Sequence, residues 1–98
     1  MNETELIDET VLDRRTMGNA DLRREVLRLF DEQCGAWLAA LDTGEWARLG
    51  HTIKGSAAGI GAETLAEAAA SFEEAPDDAR TLRDLLKATQ RRARQLAS

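Results

Sequence analysis

The chain has one histidine, His51, and it stands in an unusual setting, "RLGHTIKGSAAGIGAETL" over residues 48–65. Lys54 follows three positions later and Gly55 comes directly after it. Four of the seven glycines, Gly50, Gly55, Gly59 and Gly61, fall within twelve positions here. A metal centre needs several ligands, and there is no second histidine. A site assembled from His51, Cys34 and a carboxylate is disfavoured. Hydrolytic catalysis needs a nucleophile, a base and an orienting group in a cleft. Ser56, a hydroxyl that could serve as nucleophile, falls on the bundle side of the helix, away from His51. A lone accessible imidazole can instead be the nucleophile itself and carry a covalent group. A phosphoryl group suits it best, because the ammonium of Lys54 would steady that group's charge. The chain has eleven arginines and only two lysines, so a lysine at this point is itself a departure from its composition.

These residues must be positioned by helices. Strand signals are nearly absent: valine occurs twice, isoleucine three times and tyrosine never. Helical periodicity predicts five helices. The first covers roughly residues 5–15, with Leu6, Val11 and Leu12 as apolar contacts. Asn19 can cap a second over about 20–41. That helix carries Leu22, Val26, Leu29, Phe30, Trp37 and Leu41 on one face and Leu27, Cys34 and Leu38 on another. Asp42 and Glu45 have capping-box-like spacing before a third over about 43–60. A fourth spans about 62–74, "APDD" at 75–78 makes a turn, and the last spans about 78–96. Short loops make the long helices antiparallel. The expected fold is all-α, an up-down-up-down four-helix bundle with a short extra N-terminal helix, in a single domain over residues 1–98.

At about 100° per residue, Leu49, Ile53, Ala57 and Ile60 share one narrow stripe, the core face. His51 falls nearly opposite, so it is not a core histidine. Around it the helical wheel places Gly44, Ala47, Arg48, Lys54, Gly55 and Ala58, a mostly small surface where a solvated face would carry long polar side chains. Side chains on a helix lean toward its N-terminus, so any side chain at 55 would lean over the imidazole. Mid-helix glycine costs about 1 kcal/mol relative to alanine. Access to the ring by another molecule explains that cost, and Gly44, Ala47, Arg48 and Ala58 are the expected partner-binding residues.

Composition bounds the rest. The chain is 43% hydrophobic and 32% charged, an ordinary globular balance. No apolar run approaches the roughly 20 residues that span a bilayer. The opening "MNETELIDET" is acidic and unlike a signal peptide, so a cytoplasmic location is expected. One cysteine excludes an internal disulfide. A net charge of −5 argues against nucleic acid as a partner. Residues 1–13 are acidic without a base, while residues 80–98 are rich in arginine. The basic residues fit the solvated, C-terminal end of a helix.

"HTIKGSAAGIGAETL" resembles the signature of histidine-containing phosphotransfer (HPt) domains of two-component phosphorelays. His51, Lys54, Gly55, Ser56, Ala57, Ile60, Gly61, Ala62 and Leu65 fit its pattern, and "LRREVLRLFDEQCGAWLAAL" followed by "DTGEWARLGHTIKG" is similar to its lead-in. The resemblance covers about residues 8–75, and the last helix fits by length. It implies an antiparallel helical bundle. It further implies that His51 is phosphorylated on Nε2 and exchanges the group with an aspartate of a response-regulator receiver domain, alone or within a relay that includes a hybrid histidine kinase. Lys54 would stabilise the phosphoryl group, Gly55 would allow close approach, and Ser56 would be a hydrogen-bonding or structural neighbour. Magnesium in such transfers belongs to the receiver, so no cofactor or metal is expected on this chain, which would act as a monomeric phosphocarrier and not as an enzyme. A non-catalytic helical interaction module of the same family is the alternative. A kinase would need a nucleotide-binding domain that 98 residues of bundle cannot hold. The chain departs from the pattern twice. Gly59 stands where a polar or small residue is usual and could end the helix early. Glu73 falls near the position where some members offer an amide to the imidazole.

Overall fold

The structure, a computed structural model, describes residues 6–76 and 79–98. Five α-helices follow one another: α1 Glu9–Arg15, α2 Ala20–Thr43, α3 Leu49–Gly59, α4 Glu63–Glu74 and α5 Ala79–Ala97. There is no strand among the described residues. Helices α2 to α5 form the antiparallel four-helix bundle, with α1 as the extra N-terminal helix. Around the bundle α2 packs on α3 and α5, and α4 packs on α3 and α5, while α1 leans on α3. The molecule measures 38 × 22 × 19 Å, and its long dimension is that of α2.

Local chemistry sets three of the helix ends. The Asn19 side chain accepts a hydrogen bond from the Leu22 N–H at 2.9 Å and starts α2, as its sequence position suggests. Asp8 does the same for α1 through the Thr10 N–H at 3.0 Å. Helix α1 therefore begins later than the periodicity implies; Glu5, and Asp77 and Asp78 of the expected "APDD" turn, lie outside the described residues.

The start of the histidine helix differs from expectation. Helix α2 continues through Thr43 and stops at Gly44, whose φ of 76° is the left-handed conformation that ends a helix. Its N–H reaches back to the Ala40 and Leu41 carbonyls, and the Glu45 N–H bonds to the Ala40 carbonyl at 2.9 Å. The expected Asp42–Glu45 capping box does not form; Glu45 instead accepts from the Thr43 hydroxyl at 2.9 Å. The chain then reverses around Trp46. The indole N–H donates to the Leu41 carbonyl at 3.2 Å. Its ring packs edge-on against Phe72, with centroids 5.4 Å apart. Helix α3 begins only at Leu49, so Gly44 and Ala47 are not on it. Two competing signals explain the error: the apolar periodicity runs on through 43–48, but Gly44 and the Trp46 anchor stop it.

The core is built from Leu27, Phe30, Cys34, Trp37 and Leu41 of α2 and the Leu49, Ile53 and Ala57 stripe of α3. Leu65, Ala69 and Phe72 of α4 and Leu82, Leu86 and Ala93 of α5 complete it. Each large side chain contributes on the order of 1.5–3 kcal/mol by leaving water. Of the two expected α2 stripes, the one through Leu27 and Cys34 is the more deeply buried, and Leu29 is 54% exposed. The separated charges of the sequence meet in space. Arg23 of α2 pairs with both Glu9 and Asp13 of α1. Arg92 of α5 lies 3.6 Å from Glu9, and Arg83 and Arg94 reach Asp42 and Asp31 of α2 at 2.8 Å.

Candidate functional site

Helix α3 turns its stripe of Leu49, Ile53 and Ala57 inward, and this leaves the His51 side chain 72% exposed. The neighbouring Gly50 is buried against α4. A Cβ there would lie 2.8 Å from the Ala69 carbonyl oxygen and 2.9 Å from the Glu73 nitrogen, closer than real Cβ atoms come to backbone. Glycine at this point lets the two helix backbones touch, which a side chain would prevent.

That contact delivers Glu73 to the histidine. One carboxylate oxygen lies 3.4 Å from His51 Nδ1 and the other 3.4 Å from Lys54 Nζ. The site is thus a cluster of three: an imidazole and an ammonium on successive turns of α3, bridged by a carboxylate from α4. An anionic partner at Nδ1 favours the tautomer with its proton there. The Nε2 lone pair is then the one left for chemistry, on a side chain that is 72% exposed.

Gly55, the residue singled out for access, has open space where its Cβ would be, with nothing within 4 Å. No packing contact requires glycine there. Arg48 caps the start of α3 without a side-chain capping bond. With His51, Thr52 and Glu73 it lines a shallow hollow of about 550 Å³. The other expected surface residues differ in setting. Gly44 and Ala47 belong to the reversal before α3, and Ala58 is half-buried against the core. Ser56 lines a separate groove of about 270 Å³ on the α2 side, with Leu29, Phe30 and Gly59 among its neighbours. Cys34 faces the core from α2, and burial pushes its thiol up to about 12. It shares no site with the exposed histidine. Among the described residues no group of three or more His, Cys, Asp or Glu side chains is arranged to hold a metal ion.

Gly50 is the site residue that sequence reasoning missed. The signal was available: on the wheel it falls beside the core stripe, where a glycine marks a close helix approach. Small Ala66 and Ala69 on α4 are the complementary sign.

Compared with known protein families, residues 19–96 match the model of the Hpt domain. The chain belongs to the Hpt domain family. No curated protein and no solved structure matches it. The Hpt match opens on Asn19, the N-cap of α2, and extends into the last turn of α5. It therefore takes in the whole bundle, including α5, and leaves α1 outside. Hpt domains are histidine phosphotransfer modules of two-component systems; they work as phosphocarriers among kinases and receiver domains, without being kinases. No helix among the described residues of this Hpt domain is long and apolar enough to cross a membrane.

Proposed function

We propose that this protein carries a phosphoryl group on Nε2 of His51 and exchanges it with an aspartate of a response-regulator receiver domain. The observation that carries this reading is the exposed imidazole held by Glu73 at Nδ1, beside Lys54 and next to the open surface at Gly55.

The chemistry follows from the cluster. The Nε2 lone pair attacks the phosphorus of an aspartyl phosphate on the receiver. An N–P bond forms as the acyl O–P bond breaks, and the receiver keeps a free carboxylate. The Nδ1 proton stays in place, so positive charge develops on the ring, and the Glu73 carboxylate faces it. Lys54, on the next turn, is placed to steady the phosphoryl oxygens. The reverse sequence returns the group. The protein brings no cofactor of its own to this exchange, and magnesium is the receiver's. Its partners are receiver domains and the hybrid kinases that contain them, met by a monomer in the cytoplasm.

Incubation with a phosphorylated receiver should move label onto this chain as an acid-labile adduct on the peptide that contains His51. Label that survives acid, or that stays on the receiver, would contradict the reading. The surface around Gly55 adds a second test. Gly55→Ala should raise the melting temperature, since alanine favours a helix by roughly 0.5–1 kcal/mol and meets no neighbour here. Gly55→Gln should be at least as stable as the native protein, yet transfer phosphate markedly more slowly, because its side chain leans toward the ring. Misplacing reacting groups by roughly 1 Å can cost on the order of 100-fold in rate. Native transfer rates in both variants would show that this face does not receive the partner.

A further inference from the structure

The backbone of Arg48 raises a question that the cluster of three does not answer. Among the described residues five adopt positive φ, and three of them are glycines: Gly18, Gly44 and Gly61. Arg48, with φ of 63°, is one of the two others. The left-handed conformation is forced on it by its neighbours. Trp46 is pinned by the Leu41 carbonyl and Phe72 on one side, and Leu49 is buried on the other. Two residues must turn the chain from one anchor into the first turn of α3. Glycine is the residue that suits such a position, and this chain uses it at the comparable corner after α2. An arginine is disfavoured there, so its side chain must supply something that glycine cannot.

Arg48 lines the histidine's own hollow together with His51, Thr52 and Glu73. Side chains of a helix lean toward its N-terminus, so the ring of His51 leans back toward the turn that Arg48 begins. The two cations near the ring differ in their engagement. Lys54 is held by Glu73 at 3.4 Å. Among the described residues, no hydrogen bond or ion pair engages the Arg48 guanidinium. Part of the Lys54 charge is therefore spent on Glu73 before any phosphoryl group arrives. Arg48 is exposed and uncommitted, and its planar fork matches two oxygens of a phosphoryl group at once.

We infer that Arg48 is a further catalytic residue, one that contacts the phosphoryl group on His51 Nε2 from the side opposite Lys54. The inference rests on the phosphotransfer reading above. During transfer the N–P and O–P bonds change as already described; Arg48 neither gains nor loses a proton, and acts by donating to two of the phosphoryl oxygens as their charge is redistributed.

Phosphoramidate, a small phosphodonor that needs no protein docking, separates contact with the phosphoryl group from contact with a partner. The full chain is labelled with it as native protein, Arg48→Gly, Arg48→Ala and Arg48→Lys, and each variant is also melted. Arg48→Gly should melt at a higher temperature than the native protein, because it removes the backbone penalty, and should label on the order of tenfold more slowly. Arg48→Ala should label as slowly as the glycine variant without its gain in stability. Arg48→Lys should recover part of the rate, since it keeps the charge and loses the fork. Native labelling rates in the glycine and alanine variants would overturn the inference. So would a defect confined to transfer from a receiver, which would make Arg48 a docking residue. Absence of label on the native protein from either donor would instead bring down the phosphotransfer reading, and the inference with it.

Discussion

His51→Gln should take no label from a phosphorylated receiver while the protein stays folded. The ring is 72% exposed, and surface changes of this kind alter stability by no more than about 0.5 kcal/mol. Its core-facing neighbours Leu49 and Ile53 remain to hold α3 in place. Far-ultraviolet circular dichroism and a thermal melt should therefore match the native protein, and label transfer should fall to background. A glutamine side chain has no lone pair nucleophilic enough to replace Nε2. Retained label would place the phosphoryl group on another residue. Loss of helicity would mean that His51 supports the bundle, contrary to its exposure.

Gly50→Ala should have the largest effect on the fold of any change near the site, despite adding a single methyl group. The new Cβ would come 2.8 Å from the Ala69 carbonyl oxygen and 2.9 Å from the Glu73 nitrogen. Both are backbone atoms inside a helix, so neither can turn aside; α3 and α4 must separate. Overpacking of this kind costs about 1–3 kcal/mol. For a domain of this size each kcal/mol lowers the melting temperature by roughly 4–8 °C. The same separation would carry Glu73 away from His51 and Lys54, so transfer should slow even at temperatures where the variant is folded. Gly55→Ala is the natural control, one turn further along the same helix with open space at its Cβ. The two glycines should thus respond in opposite directions to the same substitution. An unchanged melt for Gly50→Ala would mean that the helices do not touch there.

These two residues also show what could be read from the sequence. The stripe of Leu49, Ile53, Ala57 and Ile60 recurs at helical spacing, and all four are buried, so the orientation of His51 followed from periodicity alone. The spacing of His51, Lys54 and Gly55 is likewise local, set by one helix, and needed no knowledge of the rest of the fold. Glu73 and Gly50 are different. Their roles arise where α3 meets α4, and no window of sequence contains that contact. The resemblance placed Glu73 near the ring, but its bridge to Lys54 depends on the seat that Gly50 provides. The reversal over 44–48 departs from the helical pattern for a related reason. Its geometry comes from Trp46 meeting Phe72, a residue 26 positions later, and this contact overrode the helical pattern of the segment. The approach of Glu9 to Arg92 is of the same kind; the sequence displays the opposite charges at its two ends, and only the packing of α1 brings them together.

Nuclear magnetic resonance of the ¹⁵N-labelled protein after phosphorylation by a receiver tests the central claim most directly, because it reads the atom that carries the group. Glu73 faces Nδ1 at 3.4 Å, and the His51 side chain is 72% exposed. Phosphorus coupling should therefore appear at Nε2 of His51, with Nδ1 still bearing its proton. Coupling at Nδ1, or phosphorus on any other residue, would contradict the claim.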